Sequence, residues 1–130
     1  MKLKKNILLV DDDKITHFIN ERMIDSMGLA KNVHKAFNGL EALQILQNYC
    51  NDIIEKLDVI LLDLHMPVMD GFEFIRVFQQ MEIPNKDMAT IVILTSSIDS
   101  ADMKKALSLG IKRCITKPLT EEDVKIVFGI

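Results

Sequence analysis

Asp11-Asp12-Asp13 directly follows the apolar run Ile7-Leu8-Leu9-Val10, and Asp63 directly follows Val59-Ile60-Leu61-Leu62. Two further apolar runs end in side chains of complementary chemistry. Ile91-Val92-Ile93-Leu94 leads into Thr95-Ser96-Ser97, and Cys114-Ile115-Thr116 leads into Lys117-Pro118. If the four runs are parallel strands, their carboxyl ends line one crevice, the place where such sheets bind ligands. Three carboxylates gathered there repel one another, and burial raises the pKa of at least one. A hard divalent cation removes that conflict. Mg²⁺ takes one or two carboxylates, keeps several waters and leaves a place for a phosphate oxygen. In that setting Asp63 suits the part of a nucleophile that forms an aspartyl phosphate. Lys117 adds a point positive charge, and Thr95 adds a hydroxyl able to donate to a phosphate oxygen.

Short apolar runs alternate with amphipathic segments along the whole chain. Residues 6–10 read as a fully buried strand. The spacing predicts a helix over 14–27, with Ile15, Phe18, Ile19, Met23 and Met27 on its buried face and Gly28 as its stop. Residues 32–37 alternate only partly and read as an edge strand. Asn38-Gly39-Leu40-Glu41 has the form of a helix start, with Ala42, Leu43, Ile45 and Leu46 as the apolar face behind it. Residues 48–57 either extend this helix or form a loop. Residues 58–62 read as a strand, and Asp70-Gly71-Phe72-Glu73 opens a helix reaching about Met81. Pro84 to Met88 is expected to be a loop, 90–95 a strand, 99–109 a helix stopped by Gly110, and 112–116 a strand. Thr120 and Asp123 form a capping box, with Leu119 and Val124 stapled across it, and begin a short final helix from Glu121 to Phe128. A βα unit repeated five times predicts an α/β protein: a parallel sheet with helices on both faces, joined by right-handed crossovers.

The bulk numbers narrow the function. The 130 residues suit a single domain spanning 1–130. A hydrophobic content of 48% fits a sheet covered on both faces. The net charge is −3 with Lys and Arg scattered, so nucleic-acid binding has no electrostatic footprint. Cys50 and Cys114 form neither a metal motif nor a disulfide framework and are expected to be free thiols in a reducing compartment. No apolar stretch approaches the roughly 20 residues of a membrane span. The apolar run near the amino end is too short for a signal peptide. A cytoplasmic protein without membrane or nucleic-acid partners is expected. The methionines and phenylalanines read as core filler, His17 and His34 as structural, and Asp13 as a helix cap.

In Leu8-Leu9-Val10-Asp11-Asp12-Asp13, Leu62-Asp63-Leu64-His65-Met66-Pro67 with Met69-Asp70-Gly71, Leu94-Thr95-Ser96-Ser97 and Thr116-Lys117-Pro118-Leu119, the chain resembles the receiver domain of two-component response regulators. The resemblance covers essentially the whole chain in order. It implies a doubly wound (βα)5 sandwich, a five-stranded parallel sheet of order 2-1-3-4-5. By the same resemblance Asp63 is the phosphoacceptor. Asp11 and Asp12 are the acidic pair of a Mg²⁺ site, completed by Asp63 and the backbone carbonyl of His65. Lys117 is the phosphate-binding lysine, Thr95 the switch hydroxyl, and Lys117-Pro118 a cis peptide. The implied partners are a sensor histidine kinase or phosphotransfer protein and a downstream protein target that the sequence does not name. The chain is then a signalling switch that catalyses only its own phosphorylation and dephosphorylation.

Some positions depart from the family pattern. Cys114 stands where a Tyr or Phe is usual, and a small thiol cannot swing between buried and exposed states as a ring does. Lys112 and Arg113 make the start of the last strand basic, as a solvated edge or a partner surface. The connections Gln47–Lys56 and Met81–Met88 are long, but both lie at the amino end of the sheet, away from the crevice. Two rival readings remain at this level. A Mg²⁺-dependent aspartyl-phosphate phosphatase would keep a general acid two residues past Asp63, where His65 stands instead. A pseudo-receiver that only binds a partner would have lost a site residue, and none is lost. The His65 imidazole borders the site.

Overall fold

Four of the apolar runs and the edge segment pair as five parallel strands in a computed structural model, which describes residues 4–51, 57–82, 89–96 and 99–130. In chain order the elements are β1 (Lys5–Val10), α1 (Lys14–Ser26), β2 (Ala30–Ala36), α2 (Gly39–Asn51) and β3 (Val59–Leu62). They continue with α3 (Gly71–Gln80), β4 (Thr90–Thr95), α4 (Ser100–Ser108), β5 (Cys114–Thr116) and α5 (Glu121–Phe128). The strand order is β2-β1-β3-β4-β5, as the resemblance implied.

Side chains alternate across a strand, so each central strand feeds two cores. Leu8 and Val10 of β1, Ile60 and Leu62 of β3, and Ile93 of β4 pack on one face with Ala42, Leu43 and Leu46 of α2 and with Phe72, Phe74, Ile75 and Phe78 of α3. Ala106 of α4 completes that layer. Ile7, Leu9, Val59, Leu61, Val92 and Leu94 face the other way, onto Ile24 of α1 and onto Val124 and Phe128 of α5. Burial on both faces is why these strands read as unbroken apolar runs. Each fully buried side chain of this size contributes about 1.5–3 kcal/mol.

The helix starts follow their caps. Asp13, Asp70 and Asp99 accept from backbone N–H groups in the first turns of α1, α3 and α4. Asn38 accepts from Glu41 N–H at 2.9 Å, while Glu41 reaches back to Phe37 N–H at 3.1 Å. The Thr120–Asp123 box closes in both directions, and Leu119 and Val124 lie in one core.

Two expectations need correction. The buried face of α1 consists of His17, Asn20 and Ile24, with Met23 and Met27 partly buried, while Ile15, Phe18 and Ile19 are exposed. His17 turns inward because its Nε2–H finds two carbonyl acceptors, Asp11 at 2.8 Å and Ala36 at 3.0 Å. Hydropathy counts a histidine as polar and cannot see those partners. The second correction concerns β5, which is shorter than 112–116: Lys112 and Arg113 precede it as exposed residues. The strand is also only half-buried, as an edge strand with one neighbour must be. The region 48–57 is helical through Asn51, and residues 52–56, the expected loop Pro84–Met88 and Ser97 lie outside the described residues. Among the described residues no helix is long and apolar enough to cross a membrane.

Candidate functional site

The sheet's hydrogen bonding runs one residue past the strands, and those extra residues are the ones with chemistry. Asp63 N–H donates to the Val10 carbonyl at 2.9 Å, Asp11 N–H to Ala36 at 3.1 Å, and Lys117 N–H to Thr95 at 2.8 Å. Each backbone is therefore held by its neighbour as firmly as a strand residue. Carboxylate oxygens of Asp11, Asp12 and Asp63 all lie within 4.8 Å of one another. The Lys117 ammonium bridges two of them, 2.5 Å from Asp11 Oδ2 and 3.5 Å from Asp63 Oδ2. Asp11 and Asp63 are buried and Asp12 is exposed, so the cluster opens on one side. Thr95 is wholly buried at the end of β4, level with Thr116 of β5.

Turns on either side fix these side chains. Asp13 N–H donates to Asp11 Oδ1 at 2.9 Å, which ties the first carboxylate to the start of α1. The loop after Asp63 is pinned where Gly71 N–H donates to the Leu64 carbonyl at 2.9 Å. A Cβ at Gly71 would lie 2.5 Å from the Asp63 carbonyl oxygen, so only glycine allows α3 to start this close to Asp63. Lys117-Pro118 is cis, as the resemblance implied.

Burial pushes the Asp63 carboxyl above its usual range; Lys117 opposes this, while the charges of Asp11 and Asp12 add to it. At Lys117, burial pulls downward, but the hydrogen bond and charge of Asp11, joined by Asp63, outweigh it and hold the ammonium above its ordinary value. Burial alone raises the Cys114 thiol. The site is thus an excess of negative charge that one ammonium only partly offsets. Its all-oxygen donor set, open on the Asp12 side, fits a hard divalent cation.

The geometry can be set beside known proteins. A model of the response regulator receiver domain matches residues 7–127. The chain belongs to that family. Hybrid signal transduction histidine kinase G of Dictyostelium discoideum is 32% identical to this receiver domain over 123 residues, covering 95% of the chain and 3% of the kinase. A two-component response regulator of Arabidopsis thaliana is 32% identical over 120 residues, covering 92% of the chain and 78% of that protein. The chain spans only part of the curated relatives it matches: 3% of that kinase, 6% of a second Dictyostelium hybrid kinase and 52% of a probable transcriptional regulator of Porphyra purpurea. Among solved structures, a two-component response regulator from Cytophaga hutchinsonii superposes with a TM-score of 0.87 at 27% identity, covering 98% of this chain and 96% of that one. The receiver domain of a sensor histidine kinase from Pseudomonas aeruginosa, with a magnesium ion coordinated in its active-site cleft, gives a TM-score of 0.78 at 25% identity, with 97% and 95% covered.

All five side chains expected at the site of this receiver domain sit at the carboxyl ends of β1, β3, β4 and β5. Sequence reasoning missed their support from below. His17 and Asn20 line a small cavity with Asp11, Asp63 and Leu94, and the His17 ring meets Phe37 edge-on at 4.8 Å. The signal was available in the spacing. His17, Asn20 and Ile24 are themselves separated by three and four residues.

Proposed function

We propose that this chain, folded as one domain over 1–130, is a phospho-accepting switch in which Asp63 takes a phosphoryl group from a phosphohistidine on a sensor kinase or phosphotransfer protein. The observation that supports this most strongly is the placement of Asp63. It is a buried carboxylate at a strand end, within reach of Asp11, Asp12 and Lys117. An Asp63 oxygen attacks phosphorus, a P–O bond forms as the P–N bond to the donor imidazole breaks, and the imidazole takes a proton. Asp11, Asp12, Asp63 and the His65 carbonyl are the residues that would hold Mg²⁺, which would offset charge on the phosphoryl oxygens. Lys117, now shared between Asp11 and Asp63, turns its ammonium to a phosphoryl oxygen. Thr95 donates its hydroxyl to another, and its backbone already anchors Lys117. Hydrolysis by water at phosphorus restores the carboxylate and releases inorganic phosphate.

Nothing in the geometry favours the phosphatase reading. The residue two past Asp63 is His65, and its Nε2 lies 3.4 Å from Asp102 of α4. Intact mass after incubation with acetyl phosphate and Mg²⁺ tests the proposal: one phosphoryl adduct is expected on the wild type and none on Asp63→Asn. An adduct that persists in Asp63→Asn would remove Asp63 from the role.

A further inference from the structure

Among the described residues, Asn20 is a buried side chain whose amide no protein group meets. It lies on the inner face of α1 between His17 and Ile24 and is only 6% exposed. One turn earlier, His17 has two carbonyl partners, at 2.8 and 3.0 Å. A buried amide without such partners is a cost to the fold, and what offsets it is then a water or an ion. Asn20 lines a cavity of about 10 Å³ with His17, Asp11, Asp63 and Leu94. That is roughly the room one water molecule takes.

The opposite wall of the cavity has acceptors to spare. A carboxylate offers about four lone-pair sites. Asp11 is well engaged, with Asp13 N–H at 2.9 Å and Lys117 Nζ at 2.5 Å. Asp63 is equally buried, yet its contacts are long: His65 N–H at 3.4 Å and Lys117 Nζ at 3.5 Å. Leu61 packs in the same core as Ile24 of α1, and Asp63, two residues on, projects to that same face of the sheet. Unused donors on Asn20 and unused acceptors on Asp63 thus line one water-sized space.

We propose that Asn20 is a positioning residue that holds one water molecule in this cavity, and that the water donates to the Asp63 carboxylate from the core side. The role rests on the reading of Asp63 as phosphoacceptor. The Asn20 N–H donates to the water oxygen, and a water O–H donates to the carboxylate. The cluster opens on the Asp12 side, so a bond from the core leaves the outer lone pairs for attack. Contacts of 3.4 and 3.5 Å leave the carboxylate room to turn about its Cβ–Cγ bond. A bond from below fixes that rotation and aims the attacking oxygen.

Two substitutions separate shape from hydrogen bonding. Asn20→Leu keeps the shape and removes the amide. Asn20→Ser loses volume but keeps a polar group, and the freed space takes a second water. Initial rates of adduct formation at Asp63 with acetyl phosphate and Mg²⁺ are read by intact mass, at a temperature where melting curves show all three proteins folded. Asn20→Leu is expected to react roughly two- to tenfold slower than wild type, the range one hydrogen bond supports. Asn20→Ser is expected to be faster than Asn20→Leu; a space-filling role for Asn20 predicts the reverse order. A crystal structure of the wild type is expected to show one ordered water bonded to both the Asn20 amide and an Asp63 carboxylate oxygen. An adduct that forms equally fast in wild type and Asn20→Leu, or faster in Asn20→Leu than in Asn20→Ser, overturns the positioning role alone. A crystal structure without that water does the same. Absence of any adduct on the wild type overturns the reading of Asp63 and the positioning role with it.

Discussion

Asp63 holds its place among the clustered carboxylates at some expense to the fold. Its carboxyl holds a proton more tightly in the folded chain than in the unfolded one, chiefly because it is buried and then because Asp11 and Asp12 stand nearby. A carboxyl with a raised folded pKa favours folding only while protonated. The penalty is absent below the ordinary carboxylate range and complete once pH has risen through the folded value. Asp63→Asn should therefore raise the thermal midpoint near neutral pH. The gain should fade as the pH is lowered through the folded value towards the ordinary range, and melting curves across that span check it. A flat gain at every pH would mean that charge is not the cause. His17 is a second single-residue case. Replacing it with leucine leaves the Asp11 carbonyl without the donor now 2.8 Å away. His17→Leu should cost about 1–3 kcal/mol in urea unfolding and slow adduct formation at Asp63, because the end of β1 is no longer tied to α1.

Among the elements, α1 separates what periodicity sees from what packing selects. Ile15, Phe18 and Ile19 recur at helical spacing, yet all three face solvent, while Ile24 has no exposed surface. Both faces carry residues at spacings of three and four, and hydropathy chose the more apolar one. Packing chose the other because β1 and β2 present carbonyls to His17. The observed rotation makes opposite forecasts for two isoleucines. Ile24→Ala should lose about 2–5 kcal/mol through the cavity it leaves. Ile15→Ala should stay within about 0.5 kcal/mol of wild type. Denaturant titrations of the pair decide the matter, and a large loss at Ile15 would restore the periodicity reading. All five helices, α1 included, have start signals in their own residues: Asp13, Asn38, Asp70, Asp99 and Thr120 each accept from a backbone N–H two or three positions on, a pairing local in sequence.

At the level of the molecule, the sheet order converts distant residues into one site. Asp11 and Asp63 are neighbours because β1 pairs with β3, and Lys117 meets both from the far side of β4. The gathered carboxylates link cation binding to folding. A ligand bound only by the folded chain stabilises it by RT ln(1 + [L]/Kd), which is about 1.4 kcal/mol at ten times Kd. Mg²⁺ should raise the wild-type melting temperature in a saturable way. Asp12→Asn should abolish most of that rise while leaving the metal-free melt almost unchanged, because Asp12 is the exposed member of the cluster. An unchanged Mg²⁺ response in Asp12→Asn would place the cation elsewhere.

Much was settled by residue order alone. Four apolar runs, each followed by its acid, hydroxyl or lysine, determined the βα repeat and the family, and singled out Asp11, Asp12, Asp63, Thr95 and Lys117 as candidates for the site. These are local facts, carried by neighbours in the chain. Tertiary structure decided the rest: the inward turn of His17 and Asn20, the short half-buried β5, the raised proton affinity of Asp63 and the tie from His65 to Asp102. Each of these depends on a partner distant in sequence. His17 needs the carbonyl of Ala36, Asp63 needs the burial and charges of other strands, and His65 needs a carboxylate on α4. Hydrophobic pattern records which side chains avoid water, but a polar group's place is set by the partner that satisfies it, and the fold supplies that partner.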